Sequence, residues 1–179
     1  MVTTKPSPTG AFLVHGATLR RAPGTRRHEV LRGPVDDLVC LGSAVPEDAD
    51  VEADVVLESV LGGVAVTGAV RAPWHGSCRR CLAPAAGTVV VRVREHFTPG
   101  GDGEETYPLH HDDIDLEPMV RDAVLLELPL APLCRADCRG LCPSCGVNRN
   151  DEVCTCEAQR DLRWAALDAL REPGAASGG

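Results

Sequence analysis

Eight of the nine cysteines in this 179-residue chain fall into four close pairs: Cys78/Cys81, Cys134/Cys138, Cys142/Cys145 and Cys154/Cys156. No other feature restricts the fold so strongly, because each pair has to be brought to a partner. Two cysteines separated by two residues can chelate one ion from a single turn, and a tetrahedral zinc ion takes four sulfurs at about 2.3 Å. Four pairs therefore make one or two four-cysteine sites for Zn2+. An odd number of thiols cannot pair completely, and in a reducing compartment clustered cysteines point to metal or redox chemistry before disulfides. The expected compartment is the cytoplasm. Met1 to Gly16 holds one Lys and a short apolar group, Ala11 to Val14, unlike a signal peptide, and no run approaches the roughly 18 apolar residues of a membrane span.

Spacing suggests a partition of the ligands. Cys142-Pro143-Ser144-Cys145-Gly146 reads as a zinc knuckle, with proline fixing φ on the way in and glycine free to take a positive φ on the way out. Cys154-Thr155-Cys156 follows after a loop long enough to return two thiolates to the same ion. By elimination, Cys78, Cys81, Cys134 and Cys138 form the other site, although spacing alone admits other divisions. Four thiolates saturate a tetrahedral ion and leave no position for activated water or substrate, which argues against a zinc hydrolase. Cys40, alone in Leu38-Val39-Cys40-Leu41, reads as a buried apolar cysteine. His75 beside the first pair is an alternative ligand. His110-His111 with Asp112, Asp113 and Asp115 reads as a solvated loop, since adjacent residues point different ways. No phosphate-binding glycine loop, Ser/His/Asp set or metalloprotease helix is present.

Around the cysteines the pattern is α+β: an antiparallel β-sheet or partial barrel with two helices and a C-terminal Cys-rich zinc-binding segment. Val51, Ala53, Val55 and Leu57 alternate with Glu52 and Asp54 before the spacing slips at Val56, and Gly62-Gly63 then turns the chain into Val64 to Arg71. Thr88 to Phe97 supplies a third antiparallel strand, and Pro73 to Leu82 is the connection that carries the first cysteine pair. Further strands are expected near Phe12 to Val14 and Val30 to Leu31. Asp115 is the expected N-cap of a helix that Pro129 ends, and a second helix is expected from about Asp161 with Trp164 as its anchor. The expected organisation is a β-rich domain over 1–133 with one helix, a zinc-binding segment and C-terminal helix over 134–171 packed on it, and a flexible tail over 172–179.

Charge lies in blocks. Residues 1–35 hold six basic and one acidic side chain, and 78–98 hold four and one, whereas 36–77 hold one and eight and 99–133 one and nine; the formal net charge is −8. If the two basic blocks met in the fold they would form a positive patch. Two divalent ions on eight thiolates add four negative charges, which brings −8 to −12. Such a balance disfavours sequence-independent binding of bare nucleic acid and favours a basic protein or a preassembled ribonucleoprotein.

The chain resembles a known family, the YceD-type proteins named for accumulation of large-subunit ribosomal RNA. The likeness lies in Leu61-Gly62-Gly63-Val64, Val66-Thr67-Gly68, Cys78-Arg79-Arg80-Cys81-Leu82 and Asp115-Leu116-Glu117-Pro118 with Arg121-Asp122. It continues through Leu128-Pro129-Leu130-Ala131-Pro132-Leu133-Cys134, Cys138-Arg139-Gly140-Leu141-Cys142-Pro143-Ser144-Cys145-Gly146 and Asp161-Leu162-Arg163-Trp164-Ala165-Ala166-Leu167. Leu162 departs from the proline that related chains usually carry there, and Cys154-Thr155-Cys156 lies where some use histidines. The resemblance implies a non-enzymatic factor supporting 23S ribosomal RNA accumulation and ribosome assembly. Its partners would be large-subunit ribosomal RNA, a basic large-subunit ribosomal protein or a pre-ribosomal particle, with no membrane and no small-molecule substrate. The alternative from another class is a zinc-thiolate redox switch or holdase-type chaperone, in which oxidation ejects the metal and neighbouring thiols close disulfides. A third reading, a zinc-ribbon nucleic-acid module, would require strongly salt-dependent binding.

Overall fold

The computed structural model describes residues 10–19, 22–157 and 163. The chain divides into two compact units, Met1–Cys138 and Arg139–Gly179. The described residues of the first form eight strands and one helix: β1 (Leu13–His15), β2 (Arg26–Gly33), β3 (Ser43–Ala44), β4 (Val51–Val60), β5 (Gly63–Ser77), β6 (Pro84–Thr98), β7 (Tyr107–Pro108), β8 (Asp113–Asp115) and α1 (Glu117–Glu127).

Strict alternation builds the main sheet. Along β4 every odd residue from Val51 to Ser59 is buried and every even one half-buried, the period of a strand with one face on a core. The slip expected at Val56 does not occur: Val56 takes its place on the outer face opposite Thr67. Leu61 and Gly62 close the two-residue hairpin to β5, with Gly62 at φ +89°, a conformation glycine adopts without steric cost. The sheet order is β2-β4-β5-β6-β7, with β3 on the far part of β5.

The predicted strand of Val64 to Arg71 extends to Ser77, paired through Pro84, so the connection shrinks to residues 78–83. Pro73 is tolerated because the β4 ladder ends two residues earlier, at Glu52 and Arg71, so its missing N–H breaks no rung there.

Three parts of the expected architecture need correction. The main sheet is mixed rather than antiparallel, because Tyr107–Pro108 runs parallel to Phe97–Thr98. Its cause is the intervening loop, where the Thr98 and Thr106 hydroxyls lie 3.0 Å apart and the Leu109 N–H donates to the Thr98 carbonyl, turning the chain back in the original direction. The sheet is open rather than a partial barrel: among the described residues β2 forms one edge and pairs only with β4. One α-helix, not two, is present among the described residues; the helix expected from Asp161 lies outside them. That one helix also begins later than expected. Asp115 belongs to β8, opposite Leu13, and Leu116 holds the cap position, yet the Asp115 carboxylate still accepts the Glu117 N–H at 3.0 Å.

The core lies on the inner face of this sheet. Val55 and Leu57 from β4, Val66 and Val70 from β5, and Phe97 from β6 meet Met119, Val120 and Val124 of α1, with Phe12, Ile114 and Leu116 closing the cluster. Phe97 is fully buried and stacks on Tyr107 with ring centroids 5.2 Å apart. Phe97→Ala is expected to lower stability by about 3–5 kcal/mol through lost burial and the cavity left behind, read as a shift of the urea midpoint at constant slope.

Candidate metal centres

Each compact unit gathers one group of four cysteines. Cys78, Cys81, Cys134 and Cys138 converge in the first, and Cys142, Cys145, Cys154 and Cys156 in the second, with all sulfurs of a group within 4.8 Å of one another. All eight candidate ligands are thus brought together, in the division that spacing suggested. Either group can hold a metal ion.

The first group is built by a tight turn after β5. The Leu82 N–H donates to the Cys78 carbonyl at 2.9 Å and the Cys78 N–H to the Ala83 carbonyl at 2.8 Å, which places Cys78 and Cys81 on one side of the loop. The Arg79 N–H reaches the Pro132 carbonyl at 2.9 Å, and the Arg80 guanidinium donates to the Cys138 carbonyl at 2.8 Å. These two bonds fasten the segment after α1 to the turn and bring Cys134 and Cys138 alongside. Sulfur separations are 3.7 Å for Cys78 to Cys138 and 3.6 Å for Cys81 to Cys134. A tetrahedron with ~2.3 Å metal–sulfur bonds has edges of about 3.8 Å. Cys78, Cys81 and Cys138 are buried and Cys134 is exposed.

The second group forms on the knuckle. The Gly146 N–H donates to the Cys142 carbonyl and the Cys142 N–H to the Val147 carbonyl, both at 2.9 Å, and Gly146 leaves at φ +74°, as its place after the pair requires. Cys154 approaches Cys142 at 3.3 Å and Cys145 at 3.6 Å. The Asn150 side chain accepts the Arg139 N–H at 2.8 Å and bonds Asn148, closing the loop that leads to Cys154. Only Cys142 is buried here; Cys145 and Cys156 are exposed.

The electrostatics of each group suit a divalent cation. Main-chain N–H groups, that of Cys134 first, then those of Cys81 and Arg80, face the Cys78 sulfur and hold its thiol down to about 6 against the burial that opposes them. Cys142 is likewise held down to about 6, chiefly by the N–H groups of Cys145 and Ser144. The last thiol of each group moves the other way. Cys134 is pushed up to about 12 by desolvation of its sulfur and then by the thiols of Cys81, Cys138 and Cys78, and Cys156 to about 12 by Cys154 and Cys145 first. Four thiols this close cannot all ionise alone, because like charges disfavour one another. A bound cation removes that conflict, and a set of four soft sulfurs is the donor chemistry of zinc sites.

The remaining candidates lie elsewhere. The Cys40 sulfur sits 3.4 Å from the Ser43 hydroxyl, half-buried against the core. His75 pairs with Ala44 across β5 and β3; neither it nor His110 or His111 joins a cysteine group. The fastening roles of Arg79 and Arg80 were not read from the sequence, where they figure as charge in the 78–98 block and as part of the Cys-Arg-Arg-Cys motif. Their position inside the Cys-Arg-Arg-Cys turn was the available signal.

A family model described as Large ribosomal RNA subunit accumulation protein YceD matches residues 66–171. An uncharacterized protein of Mycobacterium tuberculosis (strain ATCC 25618 / H37Rv) is 40% identical over 169 residues, covering 88% of this chain and 80% of that protein. An uncharacterized protein of Mycobacterium leprae (strain TN) is 38% identical over 132 residues, covering 70% and 61%. A protein of Arabidopsis thaliana named Large ribosomal RNA subunit accumulation protein YCED homolog 1, chloroplastic, is 34% identical over 67 residues, 37% of this chain and 21% of that protein. No solved structure matches the chain. Since the family match takes in more than half of the residues and all eight clustered cysteines, the chain belongs to the YceD family.

Proposed function

We propose that this protein is a non-enzymatic factor that supports accumulation of large-subunit (23S) ribosomal RNA and assembly of that subunit, and that each cysteine group holds one structural Zn2+. The observation that carries the reading is the family match over residues 66–171. The closed character of both groups supports it: with four thiolates on one ion, no coordination position remains for water or substrate. The metals then act as staples, joining the turn at 78–81 to the segment at 134–138 and folding the loop at 142–156. The reading puts the protein in the cytoplasm, where thiols stay reduced, in contact with large-subunit ribosomal RNA or a pre-ribosomal particle. No helix among the described residues is long and apolar enough to cross a membrane.

A strain lacking the gene is expected to show a lowered ratio of large- to small-subunit ribosomal RNA and fewer free large subunits, restored by the intact chain. A normal ratio and a normal subunit profile in the deletion strain would sink the reading.

The exposure of Cys145 and Cys156 favours a second reading, a zinc-thiolate redox switch with holdase activity. Mild peroxide would then release zinc and create binding of unfolded clients. Zinc release without client binding would leave the assembly reading alone.

A further inference from the structure

The outer face of the main sheet sorts charge in a way that the net balance hides. Register places Arg26 and Arg32 of β2, Arg71 of β5, and Arg92 and Arg94 of β6 on one face, together with Glu52, Asp54 and Glu58 of β4. Residues from both basic blocks of the sequence therefore share one face, with β4 and β5 between them. The three carboxylates are all engaged: Glu58 by Arg26 at 3.1 Å, Asp54 by His28 at 2.6 Å, and Glu52 by Arg32 at 2.5 Å and Arg71 at 3.0 Å. Arg92 and Arg94 are exposed, and no described residue forms an ion pair or side-chain hydrogen bond with them. Beside them on β5 lie only Ala69 and Thr67, small side chains that let a ligand come close.

We propose that this β5–β6 face binds the phosphate backbone of duplex RNA, with Arg92 and Arg94 as the phosphate contacts. Residues two apart on a strand project the same way about 7 Å apart, and His96 continues the row. Two planar bidentate donors held on one strand suit the regular phosphates of a nucleic-acid strand better than the irregular carboxylates of an acidic protein. No Phe, Tyr or Trp lies on this face among the described residues, so the large aromatic platforms on which single-strand binders stack bases are missing. What remains is the backbone and shape recognition by which double-stranded RNA is read. An acidic remainder also repels phosphates from the other surfaces, so this face orients the RNA.

The inference rests on the ribosomal RNA reading for its partner class, and its test is separate. The zinc-loaded full chain is titrated with an RNA duplex of about 16 base pairs over a range of salt concentrations. Binding is expected to weaken linearly in log–log form, and Arg92→Ala/Arg94→Ala to reduce the magnitude of the slope by about two, since each phosphate contact contributes about 0.9. Arg92→Lys/Arg94→Lys keeps the charge and should keep the slope. Circular dichroism and zinc content serve as the folding control. An unchanged slope in the folded alanine variant overturns the proposal, as does displacement of the duplex by polyglutamate at equal charge concentration. A normal ribosomal RNA ratio in the deletion strain defeats the functional reading but leaves this binding result standing.

Discussion

Cys78→Ser is expected to leave the purified chain with one bound zinc ion in place of two, and to lower its melting temperature by about 10 °C or more, a shift that corresponds to several kcal/mol in a chain of this size. Cys78 is fully buried, and three main-chain N–H groups face its sulfur. Serine offers those donors an oxygen, but not a thiolate for the metal. The remaining three sulfurs then lie close together without the ion that reconciles them. Structural zinc contributes on the order of 10–16 kcal/mol in peptide systems at neutral pH, against ~5–15 kcal/mol for the whole stability of a domain. The strands have a core of their own, so the variant is expected to keep its sheet and lose the junction of residues 78–83 with 132–138. Cys40→Ser is the control. That sulfur contacts Ser43 and the Pro129 carbonyl and lies outside both groups, so two ions should remain. Native mass spectrometry counts the ions, and thermal circular dichroism reads the melting; a Cys78→Ser chain that retains two ions and its melting temperature refutes the first site.

Legibility of this fold in its sequence follows how local each determinant is. The strands over 51–97 are readable because one face is buried, so apolar and polar residues must alternate. Val56 misleads, since a valine on the outer face opposite Thr67 looks like a break in period. Pro73 and Gly76 read as punctuation, yet they sit in a strand because β6 runs opposite them as far as Pro84, which is a long-range fact. The parallel pairing of Tyr107–Pro108 has no local signature either. It depends on contacts of Thr98 with Thr106 and Leu109, all across a loop. Ligand grouping is readable because chelation geometry constrains spacing directly. The bonds from Arg79 and Arg80 are not, because their acceptors, Pro132 and Cys138, lie 53 and 58 residues away. Charge shows the same division: the blocks are visible in the sequence, whereas their sorting into engaged carboxylates and unengaged arginines depends on strand register.

Stepwise chelation is expected to remove the two ions in order, first from Cys142, Cys145, Cys154 and Cys156, then at least ten times more slowly from Cys78, Cys81, Cys134 and Cys138. Access decides the order. In the second group only Cys142 is buried, while in the first three of four ligands are, so a chelator can reach one ion without first opening the structure. Consequences differ as well. Beyond residue 138, Cys142 is the only buried hydrophobic residue among the described ones, so the described residues of that segment supply no core to hold its turns when the metal leaves. The bonds of Cys142 with Gly146 and Val147 are then exposed to water, where such a bond contributes only ~0.5–1.5 kcal/mol, less than the entropy of ordering the loop, about 1–2 kcal/mol per residue. Loss of the first ion should therefore open Arg139 and Arg149 to trypsin while the β signal in circular dichroism stays constant. Simultaneous release of both ions, or trypsin resistance of 139–157 in the fully chelated chain, would show that something other than metal holds the knuckle.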